Sequence, residues 1–308
     1  MSPLAFVFSG QGAQYAGMGK SLYDGSAAAR MVFDGYEALR PGLLDLCFAG
    51  SDEDLKDTRN TQPCIFAVSL AAAVALGERG VFPYALAGFS LGEVTALAFG
   101  GAFSAPDAFT LVTRRGVLMA EAAGQSNSSM AAVMKLSAVE VERLAARFSH
   151  IYPVNYNSPG QTVVAGDVEE LKAFGAAVKE AGGRAIPLKV GGGFHSPYMQ
   201  TAATAFGQEL EKAEIRSLQY PVYANLTARP YEDDVVETLT KQMTSPVRWQ
   251  ETIEHMVADG VTTFIEVGPG KTLKGLIEKC TDQATALHVE DMESLEATIT
   301  ALSGGRAR

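Results

Sequence analysis

The sequence predicts an α/β fold in which a large domain carries a smaller inserted one. Three observations predict it. Short apolar runs end in Gly-rich turns that pass at once into helical patterns, as parallel strands do. Of the 308 residues, 47% are hydrophobic and 19% charged, a composition that supports a large buried core. Between residues 126 and 190 the pattern changes to β-α-β-β-α-β, the split βαβ or ferredoxin-like order.

The elements follow in order. Leu4–Phe8 is a buried strand opening on Gly10-Gln-Gly12, and a mostly helical stretch interrupted at Pro41-Gly42 follows it. Gln62–Arg79 is an Ala-rich helix stopped at Gly80. Tyr84–Ala87 is a short strand, and Leu91–Phe99 turns helical directly after it. Pro106 sits at the start of the next helix, which runs to about Ala122. Gly124–Ser129 is polar and marks a boundary. In the insertion, Met130–Lys135, Ile151–Tyr156, Thr162–Ala165 and Arg184–Leu188 read as strands. Ala138–Phe148 and Val168–Glu180 read as its helices. The core therefore spans residues 1–125 and 191–308. Its second part holds helices at Pro197–Ala213, Asp233–Met243 and Trp249–Ala258, strands at Val222–Ala224 and Thr263–Val267, and a helix from Lys271. No internal repeat interrupts this order.

Charge and cysteine content narrow the function. With 25 basic and 35 acidic side chains the net charge is −10, which argues against nucleic-acid binding. The longest apolar run, Ile65–Leu76, is too short to span a bilayer, and the first residues carry no basic segment of a signal peptide. Cys47, Cys64 and Cys280 lie far apart, so neither a disulfide framework nor a thiolate metal site is expected, and the cytoplasm is the expected compartment. Three phosphate motifs fail by one residue each. Tyr15 replaces the last glycine of Gly-x-Gly-x-x-Gly. Gln14 and Ile265 stand where P-loops ending in Gly19-Lys-Ser21 and Gly270-Lys-Thr272 need glycine. Nucleotide-driven and dehydrogenase readings are rejected.

Gly88-Phe-Ser-Leu-Gly92 matches Gly-x-Ser-x-Gly, the strand–turn–helix elbow that holds a nucleophilic serine at a helix N-terminus. Chance produces this pattern roughly 0.2 times in a chain of this composition. The strand before it and the helix after it point to a nucleophile, Ser90. A serine needs a base, and four histidines are available. His150 at the end of a helix in the insertion, His255 within a helix and His288 on a short terminal strand near Val289 read as surface or packed histidines. His195 lies in the Gly-rich turn Gly191–Pro197, where catalytic residues concentrate. No acid stands out to complete a triad. Asp107 starts a helix and Asp167 lies in the insertion, so a Ser–His dyad oriented by a neutral group is favoured.

The motifs now carry a resemblance. In order they are Gly10-Gln-Gly-Ala-Gln14, Gly88-Phe-Ser-Leu-Gly-Glu93, Arg114-Arg-Gly116 and Asn157-Ser-Pro-Gly-Gln161. Gly193-Phe-His-Ser-Pro197, Ser245-Pro-Val-Arg-Trp249 and Glu266-Val-Gly-Pro-Gly270 complete the set. Over about residues 5–276 the chain resembles the malonyl-CoA:acyl carrier protein transacylases of fatty-acid and polyketide synthesis. The resemblance implies an α/β-hydrolase-like core with an inserted ferredoxin-like subdomain. It implies that Ser90 takes up malonyl as an ester, that His195 is general base and acid, and that the Arg248 carbonyl orients His195. The amides of Gln11 and Leu91 would form the oxyanion hole, and Arg115 would pair with the malonyl carboxylate. Gln62, Met119, Asn157 and Phe194 would line the pocket. Expected partners are malonyl-CoA and a phosphopantetheinylated acyl carrier protein, with no cofactor, metal, nucleic acid or membrane, and a monomer as the family habit.

Two positions depart from the family pattern: Phe89 stands where histidine usually precedes the nucleophile, and Gly191-Gly-Gly193 is unusually rich in glycine. Helix spacing alone leaves either Arg114 or Arg115 as a surface arginine. A serine thioesterase with the same dyad, or a non-catalytic carrier-binding protein, remains as an alternative to the transferase.

Overall fold

The computed structural model describes residues 3–304. Its strands are β1 (Leu4–Phe8), β2 (Ala85–Gly88), β3 (Ser128–Met134), β4 (Ile151–Ser158), β5 (Gln161–Asp167), β6 (Arg184–Pro187), β7 (Val222–Tyr223), β8 (Thr263–Val267) and β9 (Thr285–Val289). Five of them form one parallel sheet in the order β7-β2-β1-β8-β9. All five side chains of β1 are buried, which is why its sequence is continuously apolar rather than alternating. Chain order reverses at β1, with β2 on one side and β8 on the other, and ligands bind outside strand C-termini at such a switch point. Phe8 pairs with Gly88 and with Val267, so the turns leaving all three strands open on the same side.

The other four strands form an antiparallel sheet in the order β4-β5-β3-β6, covered by the helices Ala138–Ala145 and Val168–Glu180. This is the ferredoxin-like arrangement read from the sequence, and the fold is the predicted α/β class with a separate antiparallel subdomain. Val133, Val141, Val164, Phe174 and Val178 make up the centre of its own small core.

The helix Thr58–Glu78 is long and apolar enough to cross a membrane, but 83% of that apolar stretch is buried inside the protein. It is the central core helix, packed against β8 and the helices Leu91–Phe99 and Ala105–Gly124. Burial all round explains its weak amphipathicity and its run of alanines. The predicted helix Pro197–Ala213 opens as a 3₁₀ turn, Pro197–Met199, because Ser196 caps that turn with Pro197 in its first position. The two acids weighed for a triad are also explained. Asp107 accepts a bond from Ser104 at the start of its helix, and Asp167 caps the helix Val168–Glu180.

Candidate active site

Ser90 lies between β2 and the helix Leu91–Phe99, in a backbone conformation of φ 55° and ψ −101°. Both flanking glycines are required by space. A Cβ on Gly88 would lie 1.9 Å from the Gly92 carbonyl group, and one on Gly92 would lie 2.1 Å from the Phe8 oxygen. The strained serine is held at both of its peptide groups. Its N–H donates to Asn225 Oδ1 at 2.7 Å, and its carbonyl accepts from Gln242 Nε2 at 2.9 Å. Asn225 Nδ2 in turn donates to the Gly88 carbonyl at 2.7 Å. Phe89 packs its ring against Trp249 with centroids 5.6 Å apart, which fills the space beside the elbow with an aromatic pair.

His195 Nε2 lies 2.7 Å from Ser90 Oγ, although the two residues are 105 positions apart. Its Nδ1 lies 2.9 Å from a backbone carbonyl, that of Gln242. A carbonyl only accepts, so Nδ1 carries the proton and Nε2 is left to accept from the serine hydroxyl. Burial, and then the charge of Arg115, lower the imidazole pKa to about 4, so it is neutral and basic at physiological pH. The turn that presents it is fastened by Gly193 N–H, which donates to Ser128 Oγ at 2.9 Å.

The orienting carbonyl corrects the expectation for Arg248. Arg248 sits at the N-terminus of the helix Trp249–Ala258, and its carbonyl accepts from the N–H and the hydroxyl of Thr252. Gln242 ends the helix Val235–Gln242, and its carbonyl would ordinarily meet the N–H of residue 246. That residue is Pro246, which has none. A helix-terminal carbonyl is thereby left to His195, with a longer bond from the Ser245 amide at 3.4 Å.

Arg115 is 0% exposed, while Arg114 beside it is half-exposed near Glu209. The Arg115 guanidinium donates to Gln62 Oε1 at 3.0 Å, Gln242 Oε1 at 2.9 Å and Ser90 Oγ at 3.2 Å, and its buried Nε has no partner. All three partners are neutral. Burial lowers its pKa to about 10, so it remains a cation, aimed at the serine, with unspent donor capacity. Gln62 is held by Met119, whose sulfur accepts from Nε2 at 3.2 Å. Phe194 is buried next to His195. Asn157 is buried too, but its carbonyl pairs with the Cys280 thiol and no hydrogen bond joins it to Ser90, His195 or Arg115. Gln11 lies on the turn after β1, tied through its side chain to Thr58. Among the described residues the backbone amides of Gln11 and Leu91 donate to no protein group.

The remaining histidines are accounted for elsewhere. His150 contacts Glu170, His255 contacts the Ala228 carbonyl and His288 lies near Glu290. Among the described residues no group of three or more His, Cys, Asp or Glu side chains is arranged to hold a metal.

Sequence reasoning missed Gln242, Asn225, Tyr231 and a role for Glu93. Pro246 was the available signal for Gln242, and a polar residue just beyond the β7 end was the one for Asn225. Glu93 is fully buried. Its carboxylate accepts from the Asn225 amide at 3.0 Å, from Gln242 Nε2 at 2.9 Å and from the Tyr231 hydroxyl. Burial outweighs these bonds and raises its pKa to about 7.

A neutral imidazole on a serine at a strand–helix turn, beside two free amides and a buried cation, is equipped for acyl transfer through the serine hydroxyl. Comparison with known proteins agrees. Residues 5–300 match the acyl transferase domain family. The chain is 39% identical to the malonyl CoA-acyl carrier protein transacylase of Bacillus subtilis, across 98% of each chain. It is 36% identical to the Escherichia coli protein of the same name, across 97% of this chain and 99% of that one. The solved transacylase of Clostridium perfringens superposes with a TM-score of 0.95 at 38% identity, covering 99% and 98% of the two chains. A malonyl-transacylase solved in complex with its type II PKS acyl-carrier protein superposes at 0.93 with 34% identity, covering 97% and 100%. The chain belongs to the malonyl CoA-acyl carrier protein transacylase family.

Proposed function

We propose that this protein moves a malonyl group from CoA to the phosphopantetheine thiol of an acyl carrier protein through an ester on Ser90. The observation that carries this reading is the buried Arg115 guanidinium, which donates to Ser90 Oγ and holds only neutral partners. A carboxylate delivered beside the serine supplies the directly bonded anion that Arg115 lacks, since the buried Glu93 acts on it only through space. The planar fork of arginine suits two charge-assisted bonds to such a carboxylate.

Neutral His195 Nε2 takes the Ser90 proton as Oγ attacks the thioester carbonyl. The amides of Gln11 and Leu91 receive the oxyanion, a contribution of about 2.7–4 kcal/mol per donor in a comparable site. The Gln242 carbonyl stabilises the imidazolium through Nδ1–H. Collapse of the adduct breaks the C–S bond, His195 returns the proton to the leaving thiolate, and CoA departs. The carrier thiol then repeats these steps in reverse. One thioester becomes another, so the overall transfer is close to energy-neutral and the chemistry calls for neither ATP nor a redox cofactor.

The reading extends to fatty-acid or polyketide synthesis as the setting and to a cytoplasmic monomer. Among the described residues, 126–190 form the inserted subdomain on a core of 3–125 and 191–304, and Gln62, Met119 and Phe194 line the acyl pocket. Malonyl-enzyme freed of CoA should persist in buffer and discharge rapidly when a holo-carrier protein is added. Discharge to water as fast as to the thiol would make the protein a hydrolase and overturn the transferase reading.

A further inference from the structure

Glu93 touches neither the serine hydroxyl nor the imidazole nor the guanidinium, yet the serine backbone, the imidazole and the guanidinium are each tied to a residue that Glu93 holds. It is fully buried in the first turn of the helix Leu91–Phe99, two residues past the free Leu91 amide. Its Oε2 accepts from Gln242 Nε2 at 2.9 Å and from Asn225 N–H at 3.0 Å, and its Oε1 accepts from Tyr231. An apolar side chain of the same volume would serve the core at lower desolvation cost, so stability alone does not call for a carboxyl group at this position.

The bonds beyond that group show what it organises. Gln242 presents its amide nitrogen to two acceptors, Glu93 Oε2 and the Ser90 carbonyl, which turns its amide oxygen toward Arg115 at 2.9 Å. The same residue offers its backbone carbonyl to His195. Asn225 uses its side chain to hold the Ser90 N–H and the Gly88 carbonyl. The left-handed serine backbone, which needs its surroundings to hold it, is therefore clamped on both sides by two residues anchored on one carboxyl group.

We propose that Glu93 is a positioning residue, setting the orientation of Gln242 and Asn225 so that the Ser90 elbow and the Arg115 fork stay in register. The proposal rests on the reading of Ser90 as the nucleophile. It makes a distinction by acceptor chemistry. Glu93→Gln keeps an acceptor for Asn225 and Gln242 and turns its new amide toward Tyr231, whose hydroxyl accepts. Glu93→Leu fills the space and supplies no acceptor.

The test uses the full chain and two readouts. The first is the rate at which a fluorophosphonate probe labels Ser90, which requires the elbow and His195 but not malonyl chemistry. The second is the ratio of malonyl-CoA to acetyl-CoA acylation rates. Folded Glu93→Leu should label about 30-fold or more slowly, the scale on which small misplacements cost rate, and its malonyl preference should fall about tenfold. Glu93→Gln should stay within about threefold of the parent in both. If Glu93→Leu does not fold, Glu93→Asp, which withdraws the carboxylate by one methylene, takes its place with the same expectation. Parental labelling or an undiminished malonyl preference in the folded variant overturns the proposal. A parent chain that takes up no phosphonate at Ser90 overturns instead the nucleophile assignment beneath it.

Discussion

Replacing Arg115 with alanine should turn a malonyl-selective site into a poorly selective one, and the structure sets the size of the change. Leaving a buried charge unpaired costs about 3–5 kcal/mol. Here the penalty is smaller, because Gln62, Gln242 and Ser90 already give the guanidinium three hydrogen bonds. What an acetyl group fails to supply is the ionic partner and a bond for the remaining donors. A hydrogen bond to a charged group is worth about 1.5–3 kcal/mol. Taking about 2–3 kcal/mol, at about 1.36 kcal/mol per decade, the parent should prefer malonyl-CoA over acetyl-CoA by about 30- to 150-fold. Arg115→Ala should lose most of that ratio. Both absolute rates will fall, since Gln242 loses the group that its amide oxygen holds. The ratio is therefore the informative quantity. The assay is kcat/KM for the two thioesters side by side, with Arg115→Lys recovering part of the preference. An equal fall for both substrates would refute the reasoning and make Arg115 a structural residue.

Three further outcomes follow from the same geometry. Gly92→Ala would put a methyl 2.1 Å from the Phe8 carbonyl oxygen, so urea unfolding should show a loss of at least about 3 kcal/mol, and a parental midpoint would contradict the packing of the elbow. The folded pKa of His195, about 4, lies below its ordinary value of 6.5, so the unfolded chain binds more protons between those values and stability falls as pH drops through that window. In His195→Gln this pH dependence should weaken by on the order of 3 kcal/mol across the window, and an unchanged dependence would mean that the imidazole is not buried neutral. Residues 131–190 hold seven basic and six acidic side chains, a net +1 against −11 for the rest, so the subdomain is the less repulsive face for an acidic carrier. Exposed Lys189→Glu should raise the KM for carrier protein and leave malonyl-CoA acylation unchanged, whereas equal effects on both half-reactions would move docking elsewhere.

What the sequence made legible was local. The buried strands, the elbow and the ferredoxin-like order are written in apolar runs, glycine spacing and turn residues, and the structure follows them to within a few residues. Gly88 and Gly92 could be read because the motif encodes a steric demand between neighbours. The Arg114–Arg115 choice could not be read from helix spacing, because burial depends on what packs against the helix. The reach of Gln242 and Asn225 to Ser90 was hidden for the same reason, since it spans 152 and 135 residues. Pro246 marks a freed carbonyl and the end of β7 a polar residue, but neither names its partner. The Arg248 expectation failed on a detail of helix ends: a proline removes one N–H, and the carbonyl it would have bonded is the one that orients His195.

The most direct measurement is intact-protein mass, followed by peptide mapping, after brief mixing with malonyl-CoA. The parent chain should gain one malonyl group on the peptide containing Ser90, and Ser90→Ala should gain none. A malonyl adduct on another residue, or one retained by Ser90→Ala, would contradict the account at its centre.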